Sequence, residues 1–483
     1  MPFRHQDAPM HQHASPAGDR RNGTLAAMTS ARTAAATADS VLSPRYRATT
    51  LGMVALISLI AFEALAVAAA MPTVARELDG LRLYALAFGG SLATSVIGMT
   101  VAGRCSDARG PALPLWAGLA CFVCGLLLAG FAGGMPMLLA GRLVQGLGAG
   151  AISVALYVLV ARLYPEALRP RIFAAFSAGW VVPSLLGPSI SGLIVEHVGW
   201  RWVFLAVPLL ALPAALLLRP ALRRLPALTA APSRSAAPIL WSAGAAAGVC
   251  LLYLAGQQRG LCLLATAVPA LGGLLLCAWR LLPDGSLRGA RGLPSVIALR
   301  GVAAAAFFGC EAFLPLLLSR ERGLSPTWAG IALSIGALGW FAGSWYQGHY
   351  GQRGSRLRRL RGGSVLMLLG IGSTALAVLP SVPAALAMLG WAATGMGMGL
   401  IYPTLSVLTL TLSPPAQQGA NSSALQLSEA IAVATTLAVG GSLFAALLAQ
   451  SVVAAYLSTF AVAAVLALLG LGIAGRTQPV APR

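Results

Sequence analysis

Charge is scarce in this chain, and lysine is absent. Of 483 residues, 10% are charged, 13 are acidic, and all 33 basic residues are arginine. Soluble domains carry about 25% charged residues, whereas here hydrophobic residues make up 58% and the mean hydropathy is +0.80. These values exclude an ordinary soluble protein and indicate an all-α polytopic membrane protein. The net charge of +20 does not indicate a nucleic-acid partner. The arginines that produce it are distributed along the chain as in a membrane protein.

Cysteine is also sparse, and its seven positions carry no pattern that indicates a bound metal. None falls in a predicted external loop, so no disulfide framework is expected. Cys121 and Cys124 have a zinc-like spacing, but they lie inside an apolar run without a second pair, which favours helix packing. No nucleophile arrangement or phosphate-binding loop appears either. We therefore expect no cofactor, no metal, no catalytic residue and no enzymatic activity.

Long apolar runs dominate the chain from residue 51 onward. They reach about 18–28 residues and alternate with short polar breaks, which is long enough to cross a bilayer as helices. The pattern predicts fourteen spans in groups of six, two and six: 51–72, 84–103, 112–133, 135–161, 171–194, 202–219, 238–256, 260–280, 296–318, 327–346, 363–380, 383–410, 423–447 and 452–474.

The polar segments divide these spans into domains. Residues 1–47 contain no apolar run long enough for a signal peptide and are expected to form a disordered cytoplasmic tail. The other predicted units are a six-helix bundle at 51–219, a cytoplasmic loop at 220–237, two additional helices at 238–280, a cytoplasmic loop at 281–295, a second six-helix bundle at 296–474, and a cytoplasmic tail at 475–483.

The distribution of arginine supports the count of spans. Cytoplasmic segments of membrane proteins are enriched in basic residues. With fourteen spans, 25 arginines fall on one side of the membrane and six on the other. This asymmetry predicts that both termini are cytoplasmic in a multi-pass protein of a bacterial cytoplasmic (inner) membrane.

Three glutamates interrupt the apolar runs, at Glu63, Glu311 and Glu429. An ionised group at the centre of a spanning helix costs about 3 kcal/mol on insertion scales. A chain with no use for these acids would be more stable with leucine in their place. They therefore predict a pathway for protons or cationic solutes.

The segment between the second and third spans carries a compact charged motif. Gly103, Asp107, Arg109 and Gly110 combine turn-forming glycines with a carboxylate that can pair with arginine or cap a neighbouring helix. Such a cluster can act as a conformational latch, and a plain basic loop is the alternative. The corresponding segment of the second half has Gln347 where the acid would be.

The fourth span contains a buried basic residue. Arg142 and Gln145 lie on one stripe of the helix. An arginine inside the membrane needs a partner, and a membrane glutamate is the natural candidate. We expect Arg142 to lie closer to Glu63 than to Glu429, in a proton-coupling or substrate role, and a fixed structural ion pair is the alternative.

The fifth span has small residues at every fourth position, a spacing that lets another helix approach closely, together with a proline that predicts a kink. The residues assigned to this packing motif are Gly179, Pro183, Gly187, Pro188, Ser191 and Gly192.

Together these motifs resemble the major facilitator superfamily. The G-x-x-x-D-x-R-G pattern of residues 103–110 is similar to the loop signature of that family, and the run from Arg142 is similar to its fourth-helix signature. Residues 179–192 resemble the antiporter signature G-x-x-x-G-P-x-x-G-G of drug exporters, with Pro183 and Ser191 replacing two glycines. The spacing of Glu63 from Pro72 resembles that of the fourteen-helix drug:proton antiporters.

The resemblance covers residues 51–474 and carries expectations of fold and function. It implies two six-helix bundles related by a pseudo-twofold axis, with two extra linker helices at 238–280. Because the apolar cores of those two helices contain no charged residue, they are expected to lie outside the cavity. The resemblance also implies that Arg142 is linked to proton transfer. Because the first and ninth helices open the two halves, Glu63 and Glu311 are expected to face each other across the cavity.

The favoured function is a proton-coupled antiporter that exports hydrophobic or cationic small molecules such as drugs and antibiotics. An exporter of an endogenous lipid, peptide or metabolite is one alternative, and a transport-inactive sensor or scaffold is another. The expected partners are a small-molecule substrate, protons and the lipid bilayer. The sequence does not determine the oligomeric state, for which we expect a monomer.

Overall fold

The structure is a computed structural model that describes residues 40–79, 83–225, 237–255, 258, 260–324, 326–351, 354–448 and 450–478. Most of the two expected tails, and most of the loop at 220–237, lie outside the described residues. The described part contains fourteen helices of 16 residues or more: α1 Arg47–Glu77, α2 Tyr84–Arg109, α3 Ala112–Gly130, α4 Met135–Leu163, α5 Arg169–His197, α6 Arg201–Leu216, α7 Ala237–Ala255, α8 Leu261–Leu281, α9 Leu293–Glu311, α10 Pro326–Tyr350, α11 Arg356–Leu376, α12 Ala384–Leu412, α13 Gln418–Leu448 and α14 Val452–Ala474.

Many of these helices suit a membrane by length and composition. Within the described residues, eight are long and apolar enough to span a bilayer, and the bent helix α5 makes a ninth. Helix α6 and most of α7 are apolar but shorter. The chain is therefore a multi-pass, all-helical membrane protein. Each of the fourteen predicted spans falls on one of the fourteen helices, and the full count of crossings stays a prediction.

The helix packing repeats once along the chain. In the first half α4 packs against α2 and α3, α1 against α5 and α6, and α3 against α6. In the second half α12 packs against α10 and α11, α9 against α13 and α14, and α11 against α14. Each of these pairs of the first half thus has a counterpart eight helices later. A duplicated six-helix unit produces this pattern.

The middle helices α7 and α8 pack against each other beside the two halves. Helix α7 also contacts α2 and α13, and α8 contacts α13. The halves meet through α2 with α13, α5 with α10, α4 with α13, and α5 with α12. No described residue of α7 or α8 lines the cavity between the halves.

Glycines allow the closest helix crossings of both halves. A Cβ atom on Gly98, Gly146 or Gly150 would collide with a backbone carbonyl group across the α2–α4 contact. In the second half, Gly395 and Gly399 occupy equivalent positions across the α10–α12 contact. Small residues bring helix backbones together where the surrounding lipid provides no hydrophobic driving force.

Two expected boundaries are wrong. The segment from Gly103 to Arg109 is not a loop, because α2 continues to Arg109 and ends only at Gly110, whose φ of 88° is left-handed. The predicted span 296–318 is not one helix, because α9 ends at Glu311. Pro315, four residues later, has no N–H group to bond the Glu311 carbonyl, and in an unbroken helix its ring would clash with that carbonyl.

The α2–α4 crossing yields a stability prediction. Gly150→Ala should destabilise the protein by about 1–3 kcal/mol, because the added methyl group overpacks a contact between two backbones. Gly441→Ala on α13 is the matched control, since a Cβ there meets open space and alanine favours the helix by about 0.5–1 kcal/mol. Thermal unfolding of the purified protein in detergent measures both. Equal melting temperatures for the two variants would contradict a close backbone contact between α2 and α4 at Gly150.

Candidate functional site

A buried ion pair joins three helices of the first half. Arg142 on α4 donates from Nη1 to the carboxylate of Glu63 on α1, and both side chains are almost fully buried. The same Nη1 donates to the Gln145 side chain at 2.8 Å, and Nη2 donates to Ser91 Oγ at 2.9 Å. Nε donates to the Ala87 carbonyl at 3.2 Å. The expected pairing of Arg142 with Glu63 is therefore present.

A second buried ion pair lies in the other half, and the sequence motifs did not indicate it. Arg300 on α9 is fully buried and donates from Nε to Glu429 on α13 at 2.7 Å. Its guanidinium carbon lies 3.0 Å from the ring centroid of Tyr402, whose hydroxyl donates to the same carboxylate at 3.2 Å. An arginine within the apolar run of α9 was the available signal, because such a residue requires a counter-charge.

Hydrogen bonds extend this second pair into the first half. Arg300 Nη1 donates to Ser406 Oγ at 3.2 Å. Ser406 Oγ and the Tyr157 hydroxyl lie 3.4 Å apart and share a hydrogen bond between α12 and α4. The C-terminal ion pair therefore contacts the boundary between the two halves directly.

The third glutamate has a different environment. No hydrogen bond or ion pair to the Glu311 carboxylate occurs among the described residues. The side chain is partly exposed to a cavity between the halves that Glu429 also lines. Because α9 breaks at this residue, its own carbonyl also lacks the usual helical partner. Glu311 is thus the membrane acid that remains available to a ligand or a proton.

The cavity is apolar and strongly aromatic. Its volume is about 270 Å³, and helices α1, α4 and α5 face α9, α10, α12 and α13 across it. Its polar lining includes the carboxylates of Glu311 and Glu429 and the amide of Gln426, and Gln426 Nε2 has no hydrogen-bond partner in the described part of the chain. Its eight aromatic side chains are Tyr157, Phe173, Phe176, Trp180, Phe307, Phe308, Trp340 and Tyr402.

The expectation that Glu63 faces Glu311 across the cavity is wrong. Glu63 is not among the lining residues. Its carboxylate points instead to Arg142, inside the first half. The physical reason is the need to neutralise a buried arginine, which holds the acid away from the space between the halves.

The carboxylate of Asp107 connects the two halves at their arginine-rich end. Its two oxygens accept from the backbone N–H groups of Gly419, at 2.6 Å, and Ala420, at 2.8 Å, in the first turn of α13. A Cβ on Gly103 would lie 2.7 Å from the Gly419 carbonyl, so glycine permits the approach. Helix N-termini favour negative charge, which makes Asp107 an inter-half cap.

Two opposing effects act on the pKa of the Asp107 carboxyl. Asp107 lies beyond the predicted span 84–103, and its burial raises the pKa of its carboxyl above the ordinary value. The N–H donors of α13 and the nearby Arg162 lower it in part.

Two other residues of the motif take no part in this cap. Arg109 is exposed at the end of α2. Gln347, the second-half counterpart of Asp107, is buried with no partner for its Oε1 among the described residues.

The small residues of α5 face α1, as their spacing suggests. Gly179 lies against Ser58, and Ser191 donates to the Ala66 carbonyl at 2.7 Å. The helix bends by 44° between Gly187 and Ile190. Pro183 is buried and Gly192 faces open space, while the side chain of Pro188 lies outside the described ones.

Comparison with known sequences identifies one family. A family model described as Major Facilitator Superfamily matches residues 51–437. The MFS efflux transporter aclA of Aspergillus oryzae is 37% identical over 140 residues, which is 29% of this chain and 25% of that protein. Multidrug resistance protein 3 of Bacillus subtilis is 29% identical over 170 residues, 35% of this chain and 33% of that protein. The matched segments thus span a quarter to a third of these relatives.

Solved structures share the fold across most of the chain. A bacterial homologue of the iron transporter ferroportin, in an outward-facing state, matches with a TM-score of 0.66 at 14% identity, over 89% of this chain and 98% of that one. The proton:xylose symporter XylE matches with a TM-score of 0.61 at 15% identity, over 87% and 94%. At such identities the likeness concerns the fold alone.

The second ion pair yields an asymmetric prediction. Glu429→Gln leaves the buried Arg300 guanidinium unpaired and should destabilise the protein by about 3–5 kcal/mol. Arg300→Gln should cost less, because the remaining carboxylate can take up a proton whereas arginine cannot lose one. The double variant should be more stable than Glu429→Gln alone.

Thermal unfolding of the purified variants tests this order. Glu166→Gln is the control, because this acid is 74% exposed in its pair with Arg169 and an exposed pair contributes about 0–1 kcal/mol. Additive effects of the two substitutions would show that Arg300 and Glu429 do not depend on each other.

Proposed function

This chain belongs to the major facilitator superfamily, whose members are membrane transporters of small molecules and not enzymes, and we propose that it is a proton-coupled antiporter that exports hydrophobic or cationic compounds. The observation that carries the proposal is the Glu311 carboxylate, which lies in an aromatic cavity between the two halves and has no ion-pair partner among the described residues. A membrane acid without a partner costs several kcal/mol unless a proton or a bound cation neutralises it.

The lining of the cavity supports the substrate class. Eight aromatic rings offer apolar surface, and their faces attract a cation by about 0.5–2 kcal/mol each when water is excluded. Glu311 provides negative charge at this wall, Glu429 beside it is already paired with Arg300, and Gln426 provides an amide donor. A flat organic cation satisfies these features, whereas an anionic substrate would meet the carboxylate of Glu311.

The arrangement of charges supports coupling to protons. A proton on Glu311 and a cation beside it compete for the same negative charge, so uptake of one favours release of the other. A proton moving through 100 mV is worth about 2.3 kcal/mol, enough for roughly a fiftyfold gradient of a neutral solute per proton. Glu63 and Arg142 join α1 and α4, two of the first-half helices that face this cavity.

The proposed topology has fourteen spans, two six-helix bundles and the linker pair α7–α8, with both termini in the cytoplasm of a bacterial cell. In this orientation the contact between Asp107 and α13 closes the cytoplasmic end. The relatives named as efflux and multidrug resistance proteins support export, although each matches over part of its length. We take the monomer as the transporting unit.

Two other functions would use the same fold. Export of an endogenous lipid, peptide or metabolite requires the same cavity and differs only in the substrate. A transport-inactive sensor or scaffold has no need of a partly exposed acid at a break in α9, so the position of Glu311 argues against it.

The first functional prediction concerns Glu311. Glu311→Gln should fold normally and lose at least tenfold in pH-driven transport of ethidium into proteoliposomes of inverted orientation, because the glutamine neither carries the proton nor attracts the cation. Glu196→Gln on the exposed end of α5 is the matched control and should transport at the wild-type rate.

Transport of a neutral hydrophobic compound by the same vesicles separates the two roles of the acid. Loss of the pH response for both compounds indicates coupling, and loss for ethidium alone indicates charge recognition. Wild-type ethidium transport by Glu311→Gln under a pH gradient would refute the antiport mechanism.

The second functional prediction concerns the contact between the halves. Asp107→Asn keeps the size of the side chain but weakens two charge-assisted hydrogen bonds to α13, each worth about 1.5–3 kcal/mol. Transport should fall several-fold while membrane abundance stays unchanged, as quantified by immunoblotting and uptake in the same vesicles. Asp284→Asn, in an exposed position of the loop after α8, is the control. A wild-type transport rate in Asp107→Asn would show that the contact between Asp107 and α13 has no role in transport.

A further inference from the structure

A second cavity lies on the outside of the C-terminal half, between α8, α9, α13 and α14. Its volume is about 640 Å³, and it shares no lining residue with the central cavity. Most of its wall is aliphatic, and no acidic residue is present among the described residues that line it. We call it the lateral groove, and the side chains that form most of its wall are Leu275, Leu282, Val302, Ile431, Leu466 and Ile473.

The length of the lateral groove fits within one leaflet of a bilayer. Its lining runs from Leu466 to Ile473 on α14, about 10 Å along the helix, and continues to Arg476, two residues beyond the end of that helix. Half of the hydrocarbon core of a bilayer is about 15 Å. The groove therefore covers most of the depth of one leaflet, over which an acyl chain extends.

Positive charge is confined to one end of the lateral groove. Arg288 and Arg476 line that end, and both are exposed. The Arg476 guanidinium is oriented by the carbonyls of Arg288, at 3.3 Å, and Gly289, at 3.4 Å. Two arginines that line the same end, with no acid among the described lining residues, can bind a phosphate group.

We propose that the lateral groove binds a phospholipid with an anionic headgroup, one acyl chain lying between α8 and α14 and the phosphate pairing with Arg288 and Arg476. Basic pockets between membrane helices recognise such headgroups. The lipid fills the space beside α8, which packs directly against α13.

Two kinds of variant separate the headgroup from the chain. Arg288→Gln combined with Arg476→Gln removes the positive charge and leaves the apolar wall intact. Gly472→Leu fills the groove, because Gly472 lines it and a Cβ there meets no atom within 4 Å. Gly372→Leu on α11 is the matched control, since it also faces open space but lies outside the groove.

The experiment measures lipid binding to the purified full-length protein by native mass spectrometry and by thermal unfolding. Dioleoyl phosphatidylglycerol should bind the wild type and the Gly372→Leu variant and raise their melting temperatures by several degrees. Dioleoyl phosphatidylcholine should bind at least tenfold more weakly. The double arginine variant should lose this preference, and Gly472→Leu should lose binding of both lipids.

Three outcomes would overturn the proposal. Equal binding of phosphatidylglycerol by Gly472→Leu and the wild type would place the lipid elsewhere. Equal stabilisation by inorganic phosphate would indicate a free-anion site rather than a lipid site. Displacement of the lipid by ethidium at concentrations that saturate transport would make the groove part of the substrate route.

Discussion

Neutralisation of buried charge is the constraint on which the rest of this structure depends. Transfer of an ion from water to a nonpolar interior costs several kcal/mol even after relaxation, and removal of one partner leaves the other unpaired. Arg142 with Glu63, and Arg300 with Glu429, solve this problem once in each half. Each pair joins helices distant in sequence, so it determines the rotation of every helix that contributes a polar side chain.

The two halves share a packing pattern but differ in charge, and that difference locates the chemistry. In the first half, Glu63 on the opening helix α1 is paired with Arg142 on α4. In the second half, the opening helix α9 supplies both Arg300 and a further acid, and the arginine is paired from α13 instead. Glu311 is left over, and the break before Pro315 places it beside the aromatic rings. A duplicated fold thereby acquires one asymmetric, chargeable position.

Polar side chains contribute to the contacts between the halves, whereas the closest helix crossings within each half depend on glycine. The Asp107 cap on α13 and the hydrogen bond from Tyr157 to Ser406 connect the bundles. Glycine crossings such as α2 with α4 keep each bundle rigid. Hydrogen bonds between rigid bodies can break without repacking a core, which is the mechanical requirement for exposing a cavity alternately to two sides.

The amino-acid sequence by itself determined the membrane class, the family, the positions of fourteen helices and the pairing of Arg142 with Glu63. These depend on local hydropathy, on motifs and on the rule that a membrane arginine requires an acid. The tertiary structure alone decided that Glu429 pairs with Arg300, that Glu63 turns away from the cavity, that Asp107 caps α13 from within a helix, and that a groove opens beside α8. Those facts depend on the rotation and crossing of helices, and an apolar run specifies neither, because lipid-facing and protein-facing residues are equally hydrophobic.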